Sequence, residues 1–322
     1  FSPRPLLGVY LKRLRNFFNN PGKAAGNRRD FSPWLWLVPA LFFVTVYLIY
    51  PVVDTFRISF MNANSTRFVG IDNYRFIFTN SAMQHTLLNN LLWIVLFTTL
   101  VVGLGLLFAV LAGRVRYEAV AKSIIFIPMA ISFVAAAVIW RFVYAYQPPG
   151  FIQYGLLNGV VTAFGLAPVP WLSAQNIIYT TVTLPSPLHT NNLAIILVAV
   201  WMWTGFAMVV LSAGLKGISK EVLEAARVDG ANEFQIFRRI TLPLISPTIA
   251  LVATTMVIQA LKIFDIVWVM TAGNFNTDVI ATQMYKQLFN YQNFGLSGAL
   301  AVILFLAIIP VIFISIGRFR SQ

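Results

Sequence analysis

The sequence predicts an all-α integral membrane protein with six transmembrane helices and both termini in the cytoplasm. This prediction rests on the composition, on long uncharged runs and on the distribution of lysine and arginine. The 322 residues are 58% hydrophobic and only 10% charged, whereas soluble domains carry about 25% charged residues. A chain of this composition is suited to lipid. The net charge of +13 then indicates basic membrane-flanking loops rather than a nucleic-acid binder.

Long, predominantly apolar runs predict six membrane spans, because a helix of about 20 apolar residues crosses a bilayer. The predicted spans are residues 34–53, 87–112, 121–140, 193–215, 244–270 and 296–317. Pro39, Pro128 and Pro310 lie inside or near the ends of these spans. Membrane helices tolerate proline when neighbouring groups satisfy the freed backbone.

Most of the 23 lysines and arginines fall in segments that share one side of a six-span topology. These segments are the N-terminal tail, the second-to-third and fourth-to-fifth connections, and the C-terminus. The opposite connection 147–192 has no lysine or arginine, so the positive-inside rule places both termini in the cytoplasm. Residues 1–31 are predicted to form a basic cytoplasmic tail, either flexible or partly helical on the membrane surface, and residues 32–322 form the six-helix domain.

The connection between the fourth and fifth spans is a candidate docking element. Ser219 can cap a helix that begins at Lys220, and Gly230 suits the left-handed turn that ends a helix. A second short helix is expected over 232–239, with Pro243 stopping it before the fifth span. Residues 216–243 are thus predicted to form a cytoplasmic helix–turn–helix elbow. Physical reasoning alone leaves open an ordinary amphipathic loop with surface salt bridges.

The elbow resembles the EAA loop of ABC importer permeases. The matching residues are Glu224, Ala225, Ala226, Asp229, Gly230, Ala231, Ile240, Leu242 and Pro243. Further segments at 59–74, 123–128, 155–173, 264–271 and 294–295 resemble carbohydrate permeases of the maltose and glycerol-phosphate type, most closely the "F-type" half of a heteromeric sugar permease. The resemblance covers residues 32–317.

This resemblance implies the type I ABC importer permease fold and a permease subunit of an ATP-driven importer for a sugar, glycoside or polyol in a bacterial inner membrane. The matching elbow residues would then couple to a cytoplasmic ATPase, with Glu224 as a charged anchor, Ala225 and Ala226 allowing close seating, and Gly230 setting the bend. The implied partners are a second permease subunit, two ATPase subunits, an extracytoplasmic solute-binding protein and membrane lipid.

The chain carries no Gly-x-x-x-x-Gly-Lys-Ser/Thr phosphate-binding loop. We therefore expect no enzymatic activity and no cofactor on this chain, with ATP and magnesium bound by the ATPase subunits. His85 and His189 show no metal-ligand spacing. The alternative functions are a stand-alone secondary transporter or channel for a small polar solute, and a membrane-embedded enzyme.

Polar and aromatic side chains within the spans are candidates for the substrate path. Charges inside spans are costly and commonly functional, which singles out Lys262 and Asp265, expected on neighbouring positions of the fifth span. They could instead pair with each other or meet water. The further candidates are Gln259, Asn89, Asn90, Trp201 and Trp203. Amides suit sugar hydroxyls and aromatic rings suit apolar sugar faces, but structural roles stay open for all of them.

Overall fold

The computed structural model describes residues 32–175 and 188–320, with side chains over 36–175 and 188–313. Within these ranges the regular structure is helical, apart from an isolated β-bridge between Met61 and Phe68. The predicted tail 1–31 lies outside the described residues, as does part of the predicted external connection 147–192.

The chain divides into two units, Phe1–Val53 and Asp54–Gln322. Helix α1 spans Ser32–Val44 and continues through a π-helical turn into α2, Tyr50–Ser59. The stretch Trp36–Ser59 is long and apolar enough to cross a membrane, and its apolar side chains are exposed. This agrees with the predicted first span, residues 34–53.

The second unit contains helices α3 to α16. Their bounds are α3 Asp72–Thr79, α4 Ser81–Leu92, α5 Thr98–Ala112, α6 Glu118–Phe126, α7 Phe133–Val143, α8 Leu156–Ala163, α9 Thr190–Lys216, α10 Lys220–Val228, α11 Glu233–Ile236, α12 Leu242–Leu244, α13 Ser246–Leu261, α14 Asp265–Thr271, α15 Ile280–Tyr285 and α16 Phe294–Arg320. π-Helical turns join α4 to α5 and α11 to α12, and another, Lys286–Asn290, extends α15.

Four stretches of the described residues could each cross a membrane as one helix, and two more could do so as bent pairs. The single helices are Trp36–Ser59, Ser81–Ala112, Thr190–Lys216 and Phe294–Phe313. The bent pairs are Glu118–Ala130 with Phe133–Val143, bent by 97°, and Glu233–Leu244 with Ser246–Leu261, bent by 65°. By length and composition the number of spans is therefore between four and six.

The predicted third span, 121–140, is broken in the middle. A 3₁₀ turn spans Ile127–Ala130, with Pro128 at its second position. Ser132 then caps α7 by accepting a hydrogen bond from the Ala135 N–H at 3.2 Å. A proline without an N–H, followed by a strong capping residue, favours a new helix over continuation of the old one.

The predicted fifth span, 244–270, is also interrupted. Helix α13 ends at Leu261, Lys262 to Phe264 are not helical, and α14 begins at Asp265. The prediction that Lys262 and Asp265 occupy neighbouring positions of one helix was therefore wrong. The reason is that residues 244–270 are predominantly apolar throughout. Hydropathy predicts that such a segment is buried, but it does not show where the helix is interrupted.

Helix α9 forms the centre of the core. Gly105 of α5 packs so closely on it that a methyl group at Gly105 would lie 2.5 Å from the Ala207 Cβ. A methyl group at Gly205 would lie 2.5 Å from the Ile125 carbonyl oxygen. Small residues let membrane helices approach this closely, so α9 is tightly packed against both α5 and the α6 segment.

Candidate functional site

The first helix of the elbow has the predicted start and end. The Ser219 hydroxyl accepts a hydrogen bond from the Val222 N–H at 3.4 Å. At the other end Gly230 has a φ of +84°, the Ala231 N–H donates to the Ala226 carbonyl at 3.0 Å, and the Gly230 N–H donates to the Arg227 carbonyl at 3.1 Å. These two bonds form a Schellman motif, which satisfies carbonyls that the helix end leaves free.

The second helix of the elbow begins as predicted but continues further. Asn232 and Gln235 form a reciprocal capping box, with both bonds at 2.9 Å. The helix then runs through a π-helical turn to Leu244, and Pro243 lies inside it instead of stopping it. Local π-helical adjustment allows a helix to accommodate proline, and the bend falls two residues later, at Ile245.

An ion pair that sequence reasoning missed closes the turn of the elbow. Arg227 Nε lies 2.8 Å from Glu233 Oε1, with both side chains at least half exposed. Hydrogen bonding to Glu233 raises the pKa of the Arg227 guanidinium further above its ordinary value. The pair spans six positions across a left-handed glycine, so the usual search for partners three or four residues apart on a helix does not find it.

The matching residues of the EAA pattern divide into an exposed and a buried set. Glu224, Ala225, Asp229, Gly230 and Pro243 are exposed. Ala226 is buried, and Ala231, Ile240 and Leu242 are partly buried. Among the described residues Glu224 has no ion-pair partner within 4 Å. The exposed carboxylate and the neighbouring small side chains are thus accessible to a partner.

The elbow is attached to the bundle at its first residue, Lys216, which is also the last residue of α9. Glu118 accepts from Lys122 at 2.5 Å and from Lys216 at 2.8 Å, and Lys122 also bonds to the Ser212 hydroxyl. These contacts join the start of α6 to the end of α9, directly before the elbow. Ile236 and Thr241 of the elbow are buried as well, and the Glu118 contacts tie the elbow to both α6 and α9.

A groove of about 540 Å³ lies between the elbow and the ends of α5 and α9. Its walls include Val110, Arg114, Leu215, Leu223 and Phe237. The groove shows that the elbow does not pack against the bundle along its whole length.

Three of the substrate-path candidates lie at the break in the fifth span. Lys262 and Asp265 are exposed, and Gln259 is partly buried on the last turn of α13. Among the described residues no ion pair joins Lys262 to Asp265, so the alternative in which they neutralise each other is not realised. They lie at the end of α13 opposite the elbow. Their role in the substrate path stays a prediction.

Asn89 and Asn90 are buried and hold a loop in place. The Asn89 Nδ2 donates to the carbonyls of Asn276 and Asp278, both at 2.7 Å, and its Oδ1 accepts from Asn192 at 2.9 Å. Asn90 Oδ1 accepts from the Ile280 N–H at 2.6 Å. Their amides are therefore occupied by backbone groups in this conformation, and a contact with solute would require those bonds to open.

Trp201 and Trp203 belong to an aromatic layer between α7 and α9. The Trp201 ring lies 5.6 Å from that of Trp140 in an edge-to-face arrangement, and the Trp203 ring lies 6.1 Å from that of Phe133. Trp201 is exposed, while Trp203 is partly buried. Their contribution to the substrate path remains a prediction, and both rings pack two helices together.

Residues 272–279 follow α14 directly. We term them the distal loop, because they lie on the side of the bundle opposite the elbow. A second ion pair that the sequence did not reveal lies there. Asp278 Oδ2 is 2.8 Å from Lys286 Nζ, and the side chains are only 15% and 14% exposed. Burial raises the pKa of the Asp278 carboxyl, although Lys286, Thr282 and Gln283 act in the opposite direction.

Comparison with known proteins identifies the family. Residues 101–319 match the family described as the binding-protein-dependent transport system inner membrane component. The chain belongs to this family. The membership predicted from the EAA pattern is confirmed, and the protein is a permease.

The permease is 53% identical over 288 residues to the osmoprotective compounds uptake permease protein GgtC of Synechocystis, covering 89% of this chain and 99% of that protein. It is 42% identical to the alpha-glucoside transport system permease protein AglF of Rhizobium meliloti, covering 88% and 80%. It is 30% identical to the trehalose/maltose transport system permease protein MalF of Thermococcus litoralis, covering 90% and 94%.

The fold of the permease is that of ABC importers. A chain from the crystal structure of a bacterial ABC transporter involved in the import of the acidic polysaccharide alginate superposes with a TM-score of 0.73 at 21% identity, covering 96% of this chain and 99% of that chain. A chain from the same kind of transporter in complex with a pentasaccharide-bound periplasmic protein gives a TM-score of 0.72, covering 89% and 93%. The predicted helical membrane fold of an ABC importer permease is confirmed, while the number of six spans and the cytoplasmic position of both termini stay predictions.

Proposed function

We propose that this permease is a membrane subunit of an ATP-driven importer for a small neutral sugar, glycoside or polyol. The relatives named for osmoprotective compounds, alpha-glucosides and trehalose/maltose support this solute class. The family membership favours import with a solute-binding protein over a stand-alone transporter or channel.

In the proposed orientation the elbow and both termini lie in the cytoplasm of a bacterial inner-membrane protein. The basic residues near the elbow support this orientation. They are Arg114, Arg116, Lys122, Lys216, Lys220, Arg227, Arg238 and Arg239. Positively charged residues are retained on the cytoplasmic side of membrane proteins, and the distal loop then lies on the external side.

The observation that carries the proposal is the rigid, exposed elbow. Its two helices are capped at both ends of the turn, its bend is set by Gly230, and its exposed face offers the Glu224 carboxylate beside Ala225. We infer that this face docks into an ATPase subunit. Closure of the ATPase dimer would then pull on α9 and α13 through the elbow and rock the bundle between its two open states.

The energy source and the remaining subunits lie outside this chain. Two ATPase subunits would bind ATP and magnesium, a second permease subunit would complete the translocation path, and an extracytoplasmic binding protein would deliver the solute. The exposed Lys262 and Asp265, with Gln259 one turn away, are proposed to line the external part of that path. Trp201, which is 37% exposed, would add an aromatic surface.

Co-purification from detergent-solubilised membranes tests the docking. We expect the wild-type permease to retain an ATPase and a second permease subunit, as identified by mass spectrometry, and the Glu224→Lys variant to lose the ATPase. The variant places a positively charged ammonium where the ATPase is proposed to bind the Glu224 carboxylate. This lowers the affinity for the ATPase, and because Glu224 is exposed, it leaves the core of the permease intact.

The matched control is Asp72→Lys, which makes the same change of charge at an exposed position on α3 outside the elbow. This variant should retain both partners and transport normally. Retention of the ATPase by Glu224→Lys would contradict the docking model. Purification of the wild-type permease without any partner would contradict the proposed function itself.

A further inference from the structure

The distal loop has a backbone conformation that most residues avoid. Ala272, Gly273, Phe275 and Asn276 have φ values of +51°, +73°, +57° and +61°. Glycine and asparagine adopt such values readily, whereas a β-carbon makes them unfavourable for alanine and phenylalanine. Conformations of this kind persist where the surrounding structure imposes them.

Two buried asparagines from distant helices fix the loop. The Asn191 Nδ2 donates to the Phe275 carbonyl at 2.8 Å, and the Asn89 Nδ2 donates to the Asn276 carbonyl at 2.7 Å. At the base of the loop the hydroxyls of Thr271 and Thr277 lie 2.6 Å apart, and both residues are buried. The carbonyls of Phe275 and Asn276 are thus bonded into the bundle and that of Asn274 is bonded to Thr277 within the loop, so the backbone of the loop is held in place without a ligand.

The tip consists of Asn274, Phe275 and Asn276, whose side chains are exposed. Phe275 retains 51% of its surface. Within the described part of the chain, neither side-chain amide has a hydrogen-bond partner, and the phenyl ring has no aromatic neighbour. Hydrocarbon would not accept two amides without partners, so this tip is suited to water and to a ligand with both apolar and hydroxylated surfaces.

We propose that the tip of the distal loop is a sugar-binding contact of the permease. The Phe275 ring would cover the apolar face of a pyranose ring, and the amides of Asn274 and Asn276 would bond its hydroxyl groups. Aromatic faces combined with a few placed polar groups are typical of such sites. Because the backbone is already fixed, binding would order only the three side chains, which keeps the entropic cost low.

The position of the tip agrees with this role. Helix α13 has 16 residues and therefore separates the elbow from the distal end by roughly 24 Å. The inference rests on the proposed function, in which the distal end faces the external side where solute arrives. The contact is separate from Lys262, which precedes α14, and from Asp265, which begins it, whereas the distal loop follows α14.

Uptake by proteoliposomes that contain the complete transporter tests the proposal. Radiolabelled trehalose and maltose are supplied on the solute-binding protein, and the rate is measured against the concentration of loaded binding protein. For Phe275→Ala we expect the plateau rate to fall about three- to tenfold, since an aromatic contact is worth roughly that factor, while the half-saturating concentration stays unchanged. Phe275→Trp should remain near wild type, and Phe275→Leu should resemble Phe275→Ala.

The leucine variant keeps the apolar bulk and removes the aromatic face, and the yield of assembled complex controls for folding. Wild-type rates in all variants, or in Phe275→Leu, would overturn the proposal. A raised half-saturating concentration with an unchanged plateau would also overturn it, because the tip would then contact the binding protein. A wild-type transporter whose ATPase is stimulated by no sugar, glycoside or polyol on the binding protein would contradict the proposed function itself, whereas the Phe275 variants test only the tip.

Discussion

The elbow and the distal loop are both turns built around a left-handed glycine, and both contain an ion pair, but they are held in different ways. The bonds that close the elbow come from within residues 219–235. The distal loop also has local bonds between Thr271, Asn274 and Thr277, but the carbonyls of Phe275 and Asn276 are held by Asn191 and Asn89, 84 and 187 positions away in the sequence. The comparison teaches that the elbow is a self-contained element that can move as one piece. The distal loop can move only if α4 or α9 moves with it.

The largest expected effect is at the buried ion pair of the distal loop. Replacement of Asp278 by asparagine leaves the Lys286 ammonium buried without its counter-charge, and the loss of one partner of such a pair costs about 3 kcal/mol. The thermal midpoint of the purified complex should therefore fall clearly.

A double variant distinguishes the unpaired charge from a simple packing defect. Asp278→Asn combined with Lys286→Met removes both charges, and replacement of a buried pair by groups of similar size is often neutral. We expect the double variant to recover at least half of the lost stability. A double variant as unstable as Asp278→Asn would show that the carboxylate acts through its bonds to Thr282 and Gln283 instead.

The same contrast explains what the sequence could predict. The elbow was predicted to within a few residues because Ser219 and Gly230 act on their immediate neighbours, whereas its ATPase partner comes from the EAA resemblance and stays a proposal. The break after Leu261 was missed because the apolar run continues through it. The distal loop could not be predicted, since nothing near Phe275 in the sequence indicates that Asn191 will bond its carbonyl. The asparagines were noticed for a possible substrate role, and the structure shows a bonding role that depends on tertiary contact.

A pair of glycine substitutions sharpens the comparison. Gly230 and Gly273 share the left-handed conformation, but a methyl group at Gly230 would meet nothing within 4 Å, whereas at Gly273 it would lie 1.8 Å from Asp278 Oδ1. Gly230→Ala should cost about 1 kcal/mol, from the backbone conformation alone. Gly273→Ala adds a displaced ion pair and should cost about 2–3 kcal/mol.

Thermal midpoints of the two alanine variants measure this difference, and Gly165→Ala is a control at a third left-handed glycine with open space around it. The control should match Gly230→Ala. Equal losses at Gly230 and Gly273 would mean that the distal loop adapts to the extra methyl group, which would contradict the rigidity on which its proposed sugar contact depends.

The smallest expected effect concerns the ion pair of the elbow, Arg227 with Glu233. Both side chains are at least half exposed, and exposed pairs contribute little because water and salt screen them. In a double-mutant cycle of Arg227→Ala and Glu233→Ala, the coupling measured by thermal midpoint should be weak and should vanish near 1 M salt, where the Debye length falls to about 3 Å. The coupling between Asp278 and Lys286 should persist there, since buried charges are screened much less. Equal salt sensitivity at the two sites would contradict the distinction between a locally held elbow and a loop fixed from inside the bundle.

Since the Schellman turn and the capping box remain intact in Arg227→Ala, the elbow should keep its bend, and loss of ATPase binding in that variant would then indicate direct contact of the guanidinium with the partner.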